Sequence, residues 1–340
     1  MANGALAESG EQAEGEMYQY SVFGGRLVSE LELPDLRPAF SGGKPLWTLR
    51  VSEAGSPGKP TAPRGELELA PGLVVRLADT ATGLRLDFAP VGTFELSRDG
   101  AEITWYPVPA ARPEIARMLI LGQVFALALH GDGLLCLHGS GVAIAGRGIA
   151  FLAPKFHGKS TLALALTAAG ARLITDDLVA IETGAQPRLR PGVQSVRLLK
   201  DALQRVGALC IGTRIVEGGK GTVTDFPRSM LVRGSVSFAA AYLLQPVTVP
   251  PGTPAVRRER LPPREAALAL AYRTKLPDPL VGYRTAGVDL QRAAAVALQV
   301  PVFRLELAGD FNRLPEVAAQ ILAWHRAPSR RRRTTVVAHP

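Results

Sequence analysis

Residues 133–182 read GLLCLHGSGVAIAGRGIAFLAPKFHGKSTLALALTAAGARLITDDLVAIE, and this stretch decides the fold. Two apolar runs of strand length, LLCLHGSGVAIAG and GIAFLA, are separated by a turn at Gly146-Arg147-Gly148. The loop PKFHGKS follows, and then TLALALTAAG, a run of strong helix formers with Gly170 placed to stop it. ARLITDDLVAIE predicts a strand that ends on two aspartates and resumes as a second strand. Strand, loop, Gly158-Lys159-Ser160-Thr161, helix is the order that a triphosphate site requires. A helix N-terminus turns backbone N–H groups and a favourable dipole toward phosphate oxygens. Lys159 supplies a cation for the β and γ phosphates, and the Ser160 hydroxyl suits Mg²⁺. Gly158 allows close backbone approach. Ala153 holds the first position of the usual G-x-x-x-x-G-K-[ST] pattern, as the smallest replacement for glycine.

Asp176 and Asp177 extend the constellation. A helix running back from the loop, followed by an adjacent strand, brings both carboxylates to the phosphates. Two carboxylates suit two tasks, holding Mg²⁺ and taking a proton from an attacking hydroxyl. The bland alternative is a solvated turn with an aspartate cap. His138, at the end of LLCL one strand before the loop strand, is the third member. His157 and Lys155 lie inside the loop and are candidates to contact phosphate. Arg197 in SVRLLKD and Lys220 in EGGKGTVTDFP are further candidate nucleotide contacts, the second in a glycine-rich loop suited to a lid. Arg228 and Arg273 rank behind them.

Outward from this core, residues 17–111 alternate apolar and polar positions in short runs broken by Gly, Pro, Asp or Ser, among them YSVFGG, LWTLRVSE, LVVRLAD and GTFELS. They predict a β-rich N-terminal region. ARPEIARMLILGQVFALALH predicts a buried helix, with Pro113 in the first turn and apolar residues nearly all round. Beyond the aspartates, strands are expected at SVRLLK, FAAAYLLQ and VFRLELA. Helices are expected at DALQRVG, PREAALALAYR, VDLQRAAAVALQ and RLPEVAAQILAWH. The sum is an α/β domain over 112–326, with a mixed sheet and flanking helices. Residues 1–16 are small, polar and acidic and predict a flexible lead, and 327–340 predict a disordered basic tail.

Composition sets the outer bounds. Apolar residues make up 47% of the 340, enough for a substantial core. The formal net charge is +9, but five of these charges lie at Arg326 and Arg330 to Arg333, so the folded part is only mildly basic. That pattern favours a solvated tail over specific nucleic-acid binding. Cys136 and Cys210 sit in apolar company and predict buried free thiols. No basic-then-apolar leader opens the sequence, and the longest apolar run, from Met118 to Leu129, is short for a bilayer. A cytoplasmic protein without a membrane partner is the expectation.

The stretch LHGSGVAIAGRGIAFLAPKFHGKSTLALAL, followed by GARLITDDLVAIE, resembles the core of HPr kinase/phosphorylase: a His-Gly before the loop, a P-loop (Walker A), then a strand ending in two aspartates. The ATP-type phosphoenolpyruvate carboxykinases share the wider fold. Similarity is closer to the HPr-kinase-related proteins of bacterial gene clusters, including kinases that tailor lasso peptides. YSVFGGRLVSELELPDL resembles their opening, and RLPPREAALAL, VPVFRLEL and LPEVAAQIL resemble later stretches. The resemblance implies ATP with Mg²⁺ and phosphoryl transfer to a hydroxyl, usually serine, of a protein, a peptide or a small molecule. It also implies self-association. On it, Lys159 binds phosphate and Ser160 ligates Mg²⁺. Asp176 is then the base, Asp177 and His138 orient it or the metal, and the two aspartates remain open to exchange.

The loop departs from the family's G-x-S-G-x-G-K-S. Phe156 stands where a glycine is usual and Lys155 where the serine is usual. No copy of the glycine-rich phosphorolysis signature follows, which counts against HPr itself as substrate. The carboxykinases' extra metal-ligand set is not found either. A non-catalytic nucleotide-binding scaffold is the alternative that these departures motivate.

Overall fold

A computed structural model describes residues 17–39, 44–53, 55–206, 214–216, 221–250, 252–275 and 282–326. The expected lead, Lys220, Cys210 and the basic tail lie outside these residues. The alternating N-terminal runs form nine strands: β1 (Tyr18–Val22), β2 (Gly25–Ser29), β3 (Arg37–Pro38), β4 (Trp47–Val51), β5 (Ala62–Ala70), β6 (Leu73–Asp79), β7 (Gly83–Phe88), β8 (Gly92–Ser97) and β9 (Glu102–Pro107). They make one sheet in the order β3-β1-β2-β4-β9-β8-β7-β6-β5. Its inward residues, Leu27, Trp47, Leu49, Phe94 and Ile103 among them, are buried at alternate positions, as a sheet with one covered face requires.

That face is covered by the apolar helix. It starts at Pro113 as expected, but it is not uniform: α1 (Pro113–Leu119) passes through a π-turn over Ile120–Val124 into α2 (Phe125–Gly131). By length and composition the 19 residues Pro113–Gly131 would reach across a membrane, which the shorter apolar run in the sequence does not convey. Here they fill a core instead. Phe125 packs against Phe23 at 5.7 Å and against Trp47 at 5.5 Å between ring centroids. The same core continues into Cys136, Leu178 and Val193 beyond the helix, so the N-terminal sheet and the following α/β layer share buried residues. Cys136 is a free, buried thiol whose pKa burial pushes up.

The deciding stretch forms β10 (Leu135–Ile144), β11 (Arg147–Leu152), α3 (Lys159–Ala168), β12 (Arg172–Thr175) and β13 (Leu178–Glu182). Ile144 pairs with Arg147, so the hairpin turn is Ala145-Gly146, both at positive φ, one residue earlier than expected. After these come β14 (Arg188–Arg190), β15 (Val196–Leu198), α4 (Lys200–Val206), β16 (Arg214–Val216), β17 (Gly221–Thr224), β18 (Val236–Val247), β19 (Val256–Arg260), α5 (Pro263–Ala271), α6 (Gly282–Ala297), β20 (Val302–Ala308) and α7 (Leu314–Arg326). The second sheet runs β11-β10-β13-β14-β18-β20-β19, and β18 also pairs parallel to β11, so five of its strands close into a ring. Strands β15, β17 and β16 form a small third sheet. The class is mixed α/β, with a β-rich N-terminal region and flanking helices.

Candidate active site

The aspartate and histidine side of the site is positioned by β10. Strands β12 and β13 both pair antiparallel with one of its edges, Thr175 opposite Gly141 and Leu178 opposite His138. They are one strand interrupted at Asp176-Asp177, and the break lies across from Gly139-Ser140. Asp177 takes a left-handed backbone with φ of 69°. Gly139 has to be glycine, because a Cβ there would stand 2.7 Å from the Phe151 carbonyl oxygen. The interruption turns the two aspartates out of the ladder in different directions.

Asp176 is buried, at 3% exposure, and its charge is satisfied locally. Ser140 Oγ donates to Asp176 Oδ1 at 2.5 Å, Ser160 Oγ donates to the same oxygen at 3.0 Å, and the Arg197 backbone N–H reaches Oδ2 at 3.3 Å. Burial pushes its pKa up, against the pull of Ser140 and Ser160. Asp177 differs in every respect. Its side chain is 46% exposed and is held by Lys275 Nζ at 2.6 Å and His138 Nδ1 at 3.1 Å. Desolvation raises its pKa, but Lys275 and His138 outweigh that and hold the carboxyl well below the usual range. The two neighbouring carboxyls are thus pushed in opposite directions, an arrangement that can separate acid–base roles.

Lys159 opens α3 and is buried at 6% exposure. Its Nζ donates to the carbonyl oxygens of Ala153 at 3.0 Å and Pro154 at 2.8 Å. Desolvation lowers its pKa to about 8, although Asp176 and Asp177 pull it up. Gly158 caps the helix at φ of 78°, as its role requires. Phe156 also has positive φ, 68°, and is 74% exposed. His157 Nδ1 meets the Lys155 carbonyl at 2.9 Å and braces the loop's own turn. Lys155 is exposed, and Thr161 lies half-buried in the first turn of α3. The Arg197 guanidinium pairs with Asp35 at 3.8 Å, and the residue meets Asp176 through its backbone N–H.

Lys275, Ser140 and Arg273 are the members that sequence reasoning missed or ranked low. Lys275 N donates to the Cys136 carbonyl, and His138 N donates to the Arg273 carbonyl at 2.7 Å, so the segment after α5 is tied to the free edge of β10. His138 Nε2 and Arg273 Nε are buried there without a hydrogen-bond partner among the described residues. Gly122, inside the π-turn, lies against the ion pair: a Cβ there would stand 3.6 Å from Asp177 Oδ2 and from Lys275 Cε. Ser140 belongs to the quoted HGSG, and its signal was the serine facing the break in the opposite strand.

The donors fit a hard cation. Ser160 Oγ and the Asp176 carboxylate are oxygen ligands at the N-terminus of a helix, the set that Mg²⁺ uses when phosphates and water complete its shell. Among the described residues no group of three or more His, Cys, Asp or Glu side chains converges, so a metal there would need ligands from the phosphates.

No family model and no curated protein matches this chain. Among solved structures it is similar to the HPr(Ser) kinase/phosphatase from Coxiella burnetii, at 16% identity, over 56% of this chain and 95% of that one, with a TM-score of 0.29. A superposition this loose bears no weight on function.

Proposed function

We propose that this chain is an ATP- and Mg²⁺-dependent phosphotransferase that phosphorylates a hydroxyl, a serine of a protein or peptide or the alcohol of a small metabolite. One observation carries the reading: Ser160, at the mouth of a P-loop, hydrogen-bonds at 3.0 Å to a buried aspartate whose neighbour is held by a lysine and a histidine. Lys159 leaves its two loop carbonyls for the β and γ phosphates. Ser160 and Asp176 would hold Mg²⁺, which would supply charge neutralisation on the phosphates. Asp177, the more exposed carboxylate, faces the acceptor and takes its proton, with His138 and Lys275 fixing its orientation. This assignment exchanges the two aspartates relative to the family resemblance. It follows from which of them touches Ser160. The acceptor oxygen forms a bond to the γ phosphorus, the bond from that phosphorus to the β–γ bridging oxygen breaks, the proton passes to Asp177, and ADP leaves. Position matters more than basicity in such a transfer, so the low pKa of Asp177 is no obstacle.

The test is mass spectrometry of hydroxyl-bearing peptides and metabolites encoded or made near the gene, incubated with the protein, ATP and Mg²⁺. The expected result is a phosphate-sized mass gain that vanishes with Asp176→Asn. A protein that binds ATP but gives no mass gain, indistinguishable from Asp176→Asn with every acceptor, would favour the nucleotide-binding scaffold. The observation behind that second reading is Lys159, folded onto its own loop.

A further inference from the structure

A cavity of about 580 Å³ opens between β3 of the N-terminal sheet and the loops on either side of the third sheet. Arg37, Arg228 and Arg233 line it, with Asp35, Gln194 and Ser195. A second cavity of about 490 Å³ lies on the other side of the same loop and adds Arg172 to Arg228 and Arg233. Among the described residues no carboxylate forms an ion pair with Arg37, Arg172, Arg228 or Arg233; Asp35 is engaged by Arg197, and Asp225 sits exposed on the rim.

The arrangement is built rather than incidental. Arg37 Nη1 donates to Gln194 Oε1 at 3.3 Å. Gln194 is itself buried and fixed, its Nε2 donating to the Leu173 carbonyl at 3.0 Å and the Val232 carbonyl at 2.7 Å. The amide is thereby locked with its oxygen toward the arginine. Burial and then the neighbouring Arg233 and Arg228 depress the pKa of Arg37, the mark of like charges held together without compensation. Guanidinium groups gathered in a concavity are suited to an oxyanion, which they grip by paired N–H donors. A concave site of this volume suits a small group rather than an extended polyanion.

The cavity also leads to the chemistry. Asp35 and Ser195 line it, and the same two residues border the small recess that contains Asp176, Asp177 and Arg197. We propose that this cavity is the acceptor subsite: the acceptor carries a compact oxyanion, a carboxylate or a phosphate, that seats on Arg37, Arg228 and Arg233 while its hydroxyl extends past Asp35 and Ser195 to Asp177. The proposal rests on the kinase reading above.

Its test is calorimetric titration of the full chain with inorganic phosphate and, separately, with succinate. Wild type is compared with Lys159→Ala, which removes anion binding at the P-loop, and with Arg228→Gln/Arg233→Gln, two exposed positions. The expected result is a site for one or both anions that survives Lys159→Ala and weakens about tenfold or more in the double variant, the loss of at least one charge-assisted contact. ATP affinity in the double variant stays within about twofold of wild type, because the P-loop is untouched. Arg37→Gln is the second variant and weakens the same anions. Binding of phosphate alone assigns a phosphorylated acceptor, and binding of succinate alone a carboxylate-bearing one. If neither anion binds outside the P-loop, or if the arginine variants bind as wild type does, the subsite is refuted while ATP binding through Lys159 stands. If anion binding follows the arginines but ATP binding ignores Lys159, the kinase reading has failed and the acceptor role falls with it.

Discussion

Asp176 and Asp177 are adjacent in the chain and opposite in energetics. Asp176 is an almost fully buried carboxylate that forms no ion pair among the described residues and is stabilised by two hydroxyls and one N–H. Its raised pKa means that ionisation opposes folding, so protonating or neutralising it relieves the fold. Asp176→Asn therefore lowers phosphotransfer by about 100-fold or more while leaving urea stability unchanged or slightly raised. Asp177→Asn strands the ammonium of Lys275, whose side chain is only 7% exposed. We expect a loss of about 2 kcal/mol in urea unfolding, less than for a fully buried pair because Asp177 is half exposed. Lys159 adds a pH dependence. Its folded pKa is about 8 and its unfolded value 10.5, so the unfolded chain binds more protons between them. Stability from this residue consequently rises as pH climbs from 8 toward 10.5, whereas ATP affinity, which needs the ammonium, falls over the same window. Titrations of ATP and thermal unfolding at pH 7 and pH 9.5 check both signs.

At the scale of elements, the loop before α3 carries a cost. An aromatic residue in the left-handed region is disfavoured by about 1–2 kcal/mol, against about 0.5–1 kcal/mol of chain entropy for glycine. Phe156→Gly should accordingly stabilise the protein by up to about 1 kcal/mol in urea unfolding, and a loss of stability would show that the exposed ring has a packing role. Most elements were legible in the sequence because hydrophobic period and turn residues act locally. The run TLALAL gives α3, and ITDDLVAIE gives two strands broken at the aspartates. What was not legible depends on distant contacts. Lys275 meets Asp177 across 98 residues, and no local pattern marks it. The π-turn at Ile120–Val124 arises where the helix passes the ion pair, with Gly122 against Lys275, and an apolar stripe carries no sign of a hydrogen-bond register shift. The pairing of Asp176, rather than Asp177, with Ser160 was equally hidden. It depends on where the strand break falls opposite β10.

At the scale of the whole molecule, the N-terminal sheet is tied to the site by a shared core and by backbone. Phe23 N donates to the Pro191 carbonyl at 2.7 Å, just before the segment that carries Val193, Gln194 and Ser195. The N-terminal region thus contributes Asp35 to the recess beside the aspartates and Arg37 to the adjoining cavity. In the proposed reading, one layer would bind nucleotide and the junction between layers would receive the acceptor. The central claim is that Lys159, Ser160 and Asp176 form a single nucleotide–metal site. Calorimetric titration of ATP with and without Mg²⁺, in wild type, Lys159→Ala and Ser160→Ala, tests it most directly. We predict ATP binding that Mg²⁺ strengthens in wild type, that loses about tenfold or more without Lys159, and that no longer responds to Mg²⁺ without the Ser160 hydroxyl. ATP binding that is absent in wild type, or indifferent to both substitutions, would contradict it.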